Sequence, residues 1–246
     1  MKNDLKKVEK IGVVIAMQEE IGLSEAAFGK KVECADTYRG KPVMRFNSYD
    51  RDIFLAFCGA GEIGAAACTQ MLIDRYDVDI VLNAGFVGSL SPRFKAGCVA
   101  VIEKAVHYDY DISGLQPQNA PGVYTELGDP YIPCDKELVD RLRVDHSVAS
   151  AILASGDKFI CDTGKKNALV ETYHAELCDM EGAAVALTAY RNNVGCMLVK
   201  IVSDGADESS KEDFDDAIGG QSERQDAFET GADNLKRILD LIIKNS

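Results

Sequence analysis

Apolar residues run along this chain in short unbroken blocks, and each block gives way to a stretch of small or amphipathic residues. Residues 11–16, 79–84, 97–106, 147–154 and 195–202 are such blocks. Runs of that length and composition read as strands buried on both faces. Residues 31–58 have the character of a strand meander, with 43–46 and 53–57 as its clearest pieces. Helices are predicted from the glycines at 59–64 to Arg75, over 136–143, 165–173 and 183–190, and as a long amphipathic segment over about 221–243. That last segment sets Phe228, Leu235, Ile238, Leu239 and Ile242 on one face. Strands alternating with helices imply a mostly parallel, twisted sheet covered on both sides. Two stretches break the alternation. Residues 85–90 read as a glycine-bearing loop. Residues 113–124 carry proline, glycine and asparagine without periodicity and read as a long loop of the kind that often serves as a lid or contact.

With 246 residues and 46% hydrophobic content, the chain can bury a sizeable core as one α/β domain spanning 1–246, with no repeat, low-complexity tract or linker to divide it. A formal net charge of −13 argues against nucleic acid or an anionic membrane as partner. The polar N-terminal residues form no signal-peptide core, and no apolar run reaches membrane-spanning length. Eight cysteines lie scattered without a Cys-x-x-Cys pair, several of them (Cys58, Cys98, Cys196) in apolar runs. Free thiols of a cytoplasmic protein are the expectation, rather than disulfides or zinc ligands.

Gly59-Ala60-Gly61-Glu62-Ile63-Gly64 is a literal G-x-G-x-x-G between a strand and a helix, with Asp79 about twenty residues on, as in a dinucleotide fingerprint. Glu62, however, stands where a pyrophosphate would sit and repels it. Tight turning and close helix–strand packing account for the glycines instead. The cluster from His107 to Asp111 is chemically rich, but His107 alone points to a surface or interface position.

The acids carry more. Strand-like runs end in Glu20, Glu181 and Asp204, and a fourth ends in Ser-Gly-Asp at Asp157. If the strands are parallel neighbours, these ends share one edge of the sheet, where α/β proteins bind ligands. Asp179 and Glu181, just before a helix, also fit simple helix caps. Carboxylates without histidine or cysteine partners leave three readings open: a hard-metal site, an ion-pair network, or acid/base chemistry on a sugar.

Six motifs in order give the chain a resemblance that runs from about residue 8 to 243: Ala16-Met17-Gln18-Glu19-Glu20, Gly59-Ala60-Gly61, Asn83 to Gly88, Ser155 to Phe159, Asp179-Met180-Glu181, and Ser203 to Asp207. It resembles the 5′-methylthioadenosine/S-adenosylhomocysteine nucleosidases of the purine nucleoside phosphorylase-like superfamily. Residues 25–50 and 107–146 match poorly. The resemblance implies a three-layer α/β/α sandwich with a central twisted mixed sheet. It also implies hydrolysis of a 5′-substituted adenosine to adenine and the ribose derivative, with methylthioadenosine, adenosylhomocysteine and 5′-deoxyadenosine as candidates. By the same resemblance Glu20 activates the attacking water and Asp204, supported by Ser203, protonates the purine at N7. Met180 and Glu181 clamp the ribose, Phe159 stacks on adenine, the Ile160 backbone reads the adenine edge, and Gly88 lends a substrate-binding backbone position. No metal or organic cofactor is implied, and the partner is a second copy in a homodimer. The chain departs from its relatives at Phe86-Val87, where a serine and a small residue are usual, at Lys200, usually arginine, and at Asp179, usually glutamate.

The chemistry suits those residue types. Cleavage of an N-glycosidic bond passes through an oxocarbenium-like state, so an acid at the leaving base helps and a carboxylate on the vicinal hydroxyls favours the growing positive charge. Three rival readings stand beside this one: a phosphorylase of the same superfamily, which Glu20 would oppose by repelling phosphate; an NAD-dependent oxidoreductase built on Gly59 to Gly64; and a non-catalytic nucleoside-binding protein.

Overall fold

A computed structural model describes residues 8–17, 33–146, 148–219 and 225–245. Ten strands form one mixed sheet: β1 (Lys10–Ile15), β2 (Glu33–Tyr38), β3 (Lys41–Ser48), β4 (Arg51–Phe57), β5 (Ile80–Ser89), β6 (Val99–His107), β7 (Ile132–Pro133), β8 (Ala149–Ser155), β9 (Leu177–Asp179) and β10 (Gly195–Asp204). The helices among the described residues are α1 (Glu62–Tyr76), α2 (Lys136–His146), α3 (Thr163–Tyr173), α4 (Gly182–Arg191), α5 (Ser210–Gly219) and α6 (Gln225–Asn245). None of them is long and apolar enough to cross a membrane. All eight cysteines are free thiols, four of them buried and Cys34 and Cys161 exposed.

Burial follows composition. β1, β5 and β10, the continuous apolar runs, are buried along nearly their whole length, as strands covered on both faces must be. β2 carries Glu33 and Asp36 and lies exposed at the edge of the sheet, where charge blunts unwanted strand pairing. α4, rich in small residues, buries Ala183, Ala184, Val185, Ala186 and Ala189 and packs against α1. α6 buries Leu235, Ile238, Leu239 and Ile242 and lies against β10, β6 and α2; the side chain of Phe228 lies outside the described residues.

The sheet departs from the expectation of mostly parallel strands. β1–β4, β1–β5, β5–β10, β6–β8 and β8–β9 are parallel, while β10–β6, β2–β3, β3–β4, β5–β9 and β6–β7 are antiparallel. Consequently β5, β10, β6, β8 and β9 pair in a closed ring. The ring closes because β5 runs on through residues 85–89, the stretch expected to be a loop. Residues 80–88 of β5 pair with β10, Gly88 opposite Asp204, and Gly88 and Ser89 also pair with Cys178 and Leu177 of β9. One row of the ring therefore runs Asp204, Gly88, Cys178, Ala154. The acids at the ends of β9 and β10 come together by ring closure across an antiparallel pair, not by sharing the edge of a parallel sheet.

An ion pair lies inside the ring. Lys200 Nζ of β10 is 2.7 Å from Asp179 Oδ2 of β9, both side chains 1% exposed. Lys200→Met would strand a buried carboxylate and is expected to lower stability by about 3–5 kcal/mol. Lys200→Met/Asp179→Asn, which removes both charges and keeps an acceptor, is expected to recover more than half of that loss. Urea unfolding of the two variants and the parent measures it; equal losses in the single and the double variant would show that the pair does not tie the strands.

Candidate active site

The ring row places Asp204 and the segment from Cys178 to Glu181 on either side of Gly88. An ideal Cβ on Gly88 would lie 3.0 Å from Asp204 Oδ1, 3.0 Å from Cys178 Sγ and 3.1 Å from Ala206 Cβ. This close approach is what the glycine permits. Around it opens a cavity of about 230 Å³ lined by Met17, Phe86, Val87, Gly88, Phe159, Asp179, Met180, Glu181, Ser203, Asp204 and Phe214, among others. Two larger grooves, of about 780 and 520 Å³, open elsewhere on the surface and hold none of the predicted site residues.

Each acid is held in its own way. Asp204 is 4% exposed. Ser203 Oγ donates to its Oδ2 at 2.7 Å and the Ala206 amide to its Oδ1 at 2.8 Å. Burial raises the Asp204 carboxyl above its ordinary pKa, against the opposing hydrogen bonds from Ser203, Ala206 and Ser210. Glu181 is 7% exposed. It stands at the N-cap position of α4 without making a cap hydrogen bond. Instead its Oε1 accepts from the Gly61 amide at 2.8 Å, reaching across to the start of α1. Asp179 is the residue that meets α4, accepting from the Gly182 amide at 3.2 and 3.1 Å while paired with Lys200. The simple cap reading thus holds for Asp179 and fails for Glu181.

Of the predicted site residues, Gly88, Phe159, Met180, Glu181, Ser203 and Asp204 share the cavity. Phe159 is 42% exposed and stands at its rim. Ile160 is 5% exposed and packs in the small apolar cluster with Leu169 and Tyr173, not in the cavity wall. Glu20, and Glu19 beside it, lie outside the described residues. Asp157 is exposed and serves the fold, its Oδ1 accepting from the Glu62 amide at 2.8 Å.

Phe214 is a lining residue that sequence reasoning missed, because it lies on α5, a helix not predicted. Its ring meets Phe159 edge-on at 5.7 Å and Phe86 edge-on at 6.2 Å, a favoured aromatic geometry. Only the Ser-x-x-Glu spacing of Ser209 and Glu212, a capping-box signature, announces the helix.

The dinucleotide reading fails on geometry. The amides of Gly61 and Glu62, where a pyrophosphate would bind, are taken by Glu181 and Asp157. Asp79, the supposed ribose ligand, accepts from the Glu9 and Lys10 amides at 2.9 and 3.0 Å. His107 is engaged on both ring nitrogens, with Tyr124 Oη 2.7 Å from Nδ1 and Asp109 Oδ1 3.1 Å from Nε2, and lies outside the cavity wall. Among the described residues no group of three or more His, Cys, Asp or Glu side chains is arranged to hold a metal ion.

The Ser203 hydroxyl favours the ionised form of Asp204. Ser203→Ala is therefore expected to raise the Asp204 pKa further, read by carbon NMR titration of its carboxyl. A downward shift would contradict the arrangement.

Comparison with known proteins agrees with this geometry. A family model described as the phosphorylase superfamily matches residues 10–244. An aminodeoxyfutalosine nucleosidase of Campylobacter jejuni is 31% identical over 220 residues, 85% of this chain and 91% of that one. A 5′-methylthioadenosine/S-adenosylhomocysteine nucleosidase of Shewanella halifaxensis is 26% identical over 218 residues, 85% of this chain and 92% of that one. Among solved structures, the 5′-methylthioadenosine/S-adenosylhomocysteine nucleosidase of Helicobacter pylori with butyl-thio-DADMe-Immucillin-A is similar at a TM-score of 0.83 and 27% identity, covering 95% of this chain and 99% of that one.

Proposed function

Because the chain belongs to the phosphorylase superfamily, we propose that its cavity hydrolyses the N-glycosidic bond of 5′-substituted adenosines, releasing adenine and the ribose derivative. The observation that carries this reading is the meeting, in one cavity, of a buried acid with raised pKa, Asp204, and a second carboxylate, Glu181, held by a backbone amide. Similarity to nucleosidases that act on methylthioadenosine, adenosylhomocysteine and aminodeoxyfutalosine supports it.

The chemistry follows from the positions. Asp204 gives its proton to N7 of the purine, so that the base leaves neutral as the C1′–N9 bond breaks. Glu181 accepts hydrogen bonds from the 2′- and 3′-hydroxyls, and these strengthen as positive charge grows on the sugar. Met180 backs the ribose, Phe159 stacks on the adenine, and Gly88 presents backbone to the substrate; Ile160, outside the cavity wall, has no part in this reading. Ser203 orients Asp204. Water then adds to C1′, and Glu20, assigned from its motif alone, takes the proton of that water. None of these steps draws on a metal or an organic cofactor. Phosphate is a poor nucleophile for this cavity, since no arginine or lysine stands among the described residues that line it.

We also infer one catalytic domain that pairs as a homodimer in the cytoplasm. Two large apolar side chains stand in water, Ile63 on α1 at 80% exposure and Leu115 in the connection after β6 at 86%, as an association surface requires. Free thiols suit a reducing compartment.

Incubation with methylthioadenosine, with and without phosphate, tests the reading. Methylthioribose and adenine are expected at equal rates in both; a ribose-1-phosphate product that needs phosphate would make the chain a phosphorylase. Asp204→Asn keeps a hydrogen bond but has no proton to give, and is expected to lower kcat by about 10²–10⁴-fold. Activity that needs Asp204 protonated falls as pH rises through its raised pKa, so the alkaline limb of kcat is expected to be absent from the residual activity of Asp204→Asn. Glu181→Gln is expected to weaken KM about tenfold or more and to lower kcat as well, a charge-assisted hydrogen bond being worth about 1.5–3 kcal/mol. An unchanged KM would take Glu181 off the ribose.

A further inference from the structure

Glu62, the first residue of α1, is an acid that the reaction just described does not use. It is 6% exposed. Ser155 Oγ of β8 donates to its Oε1 at 2.7 Å, and its Oε2 is buried with no hydrogen-bond partner. Its own amide goes to Asp157, while the amide of the preceding residue, Gly61, holds Glu181. The start of α1 thus carries the ribose carboxylate on one residue and a second buried carboxyl on the next. Asp179 of β9 and Glu181 before α4 face Glu62 as acids, and the Ala184 amide of α4 faces it as a donor. Tyr108 and Tyr124, from the connection after β6, are the phenols among the described residues that feel its charge, and burial raises both above their ordinary pKa. Lys200 of β10 is the nearby ammonium, and Asp179 holds it at 2.7 Å.

Glu62 feels the charges of Asp179 and Glu181, and where buried acids oppose one another their environments decide which of them takes a proton. Glu181 has a backbone amide at 2.8 Å, a donor suited to a carboxylate. Glu62 has the Ser155 hydroxyl and the more weakly placed Ala184 amide, and its Oε2 is buried without a hydrogen-bond partner. We propose that Glu62 is a positioning residue that holds a proton beneath the ribose carboxylate, leaving Glu181 to carry the charge that binds the sugar. The inference rests on the nucleoside reading of the cavity. Burial, with Asp179 and Glu181 adding to it against the Ser155 hydrogen bond, places the Glu62 pKa at about 8, so the acid is neutral at pH 7. Above that pH it ionises and sets a third carboxylate against Asp179 and Glu181, with Lys200 already committed. Glu181 is then pushed from the Gly61 amide, which weakens its hold on the ribose hydroxyls.

The test measures the dissociation constant of a carbon-linked 5′-methylthio nucleoside, whose C1′–C bond water does not cleave, by calorimetry from pH 6 to 9.5. With one proton required per ligand, the parent is expected to lose affinity about tenfold between pH 7 and pH 9. Glu62→Gln keeps the shape of the neutral acid and is expected to lose that limb. Ser155→Ala removes a bond that favours the ionised form and is expected to move the limb to higher pH. The same limb in Glu62→Gln as in the parent, or an equal loss of affinity at every pH, would overturn the inference, as would a downward shift in Ser155→Ala. If the parent binds the nucleoside without any alkaline limb, this inference alone falls; if it binds none at any pH, the nucleoside reading falls with it.

Discussion

The site depends on the close passage of three strands at Gly88. β5 pairs with β10 up to that residue and with β9 from it onward, and a side chain there would press on Asp204 and Cys178 at once. Without this contact β9 and β10 have no reason to present their ends to one cavity, since β9 runs antiparallel to β5 while β10 runs parallel to it. The ring of pairings converts two opposite strand directions into one meeting point. A flat parallel sheet gathers carboxylates along an edge; a closed ring gathers them around a hole. The Lys200–Asp179 pair spans the ring where it closes, joining the strand that ends in Asp204 to the strand that leads into Glu181.

Burying several carboxyl groups within one region is costly, and the protein meets the cost differently at each. Asp179 receives a full ammonium and an amide. Glu181 receives the Gly61 amide. Asp204 receives two hydroxyls and an amide, not enough to offset its burial, so its affinity for a proton rises. Glu62 receives the Ser155 hydroxyl and the Ala184 amide, and burial still carries its pKa to about 8. At Asp204 and Glu62 burial outweighs the hydrogen bonds each receives, and both carboxyls rise above their ordinary range. The proposed proton donor to a leaving base and the proposed charged clamp on a sugar need opposite protonation states, and burial moves Asp204 toward the first of them.

Much of this was legible in the chain. The long apolar runs fixed β1 and β10 because strands buried on both faces have no polar positions to hide. The motif order identified Met180, Glu181, Ser203 and Asp204, and the structure brings them to one cavity. The ring was not legible. It depends on Gly85 to Ser89 continuing as a strand, and two glycines in five residues carry the local signature of a loop. Nor was the mixed pairing legible, since alternation of strand and helix says nothing of a strand such as β9 that reverses to close a ring. α5 was missed because its residues are acidic and its single large aromatic, Phe214, faces the cavity. A helix with one half-buried aromatic on an otherwise acidic, mostly exposed surface leaves almost no periodicity to read.

The glycine-rich turn shows how far a motif can be read from its spacing alone. Its backbone does what such turns do: it presents consecutive amides at a helix N-terminus, aimed at anionic oxygen. In a dinucleotide fold that oxygen belongs to a ligand. In this chain it belongs to Glu181 and Asp157, so the turn binds two of the protein's own carboxylates. The amide at Gly61 thereby sets the position of Glu181 in the cavity. A phosphate would have to displace Glu181 to occupy the turn, and would then face the buried Glu62. A turn built to hold anions has been turned inward, which fixes the Glu181 carboxyl at the cavity wall and leaves phosphate without a seat at that turn.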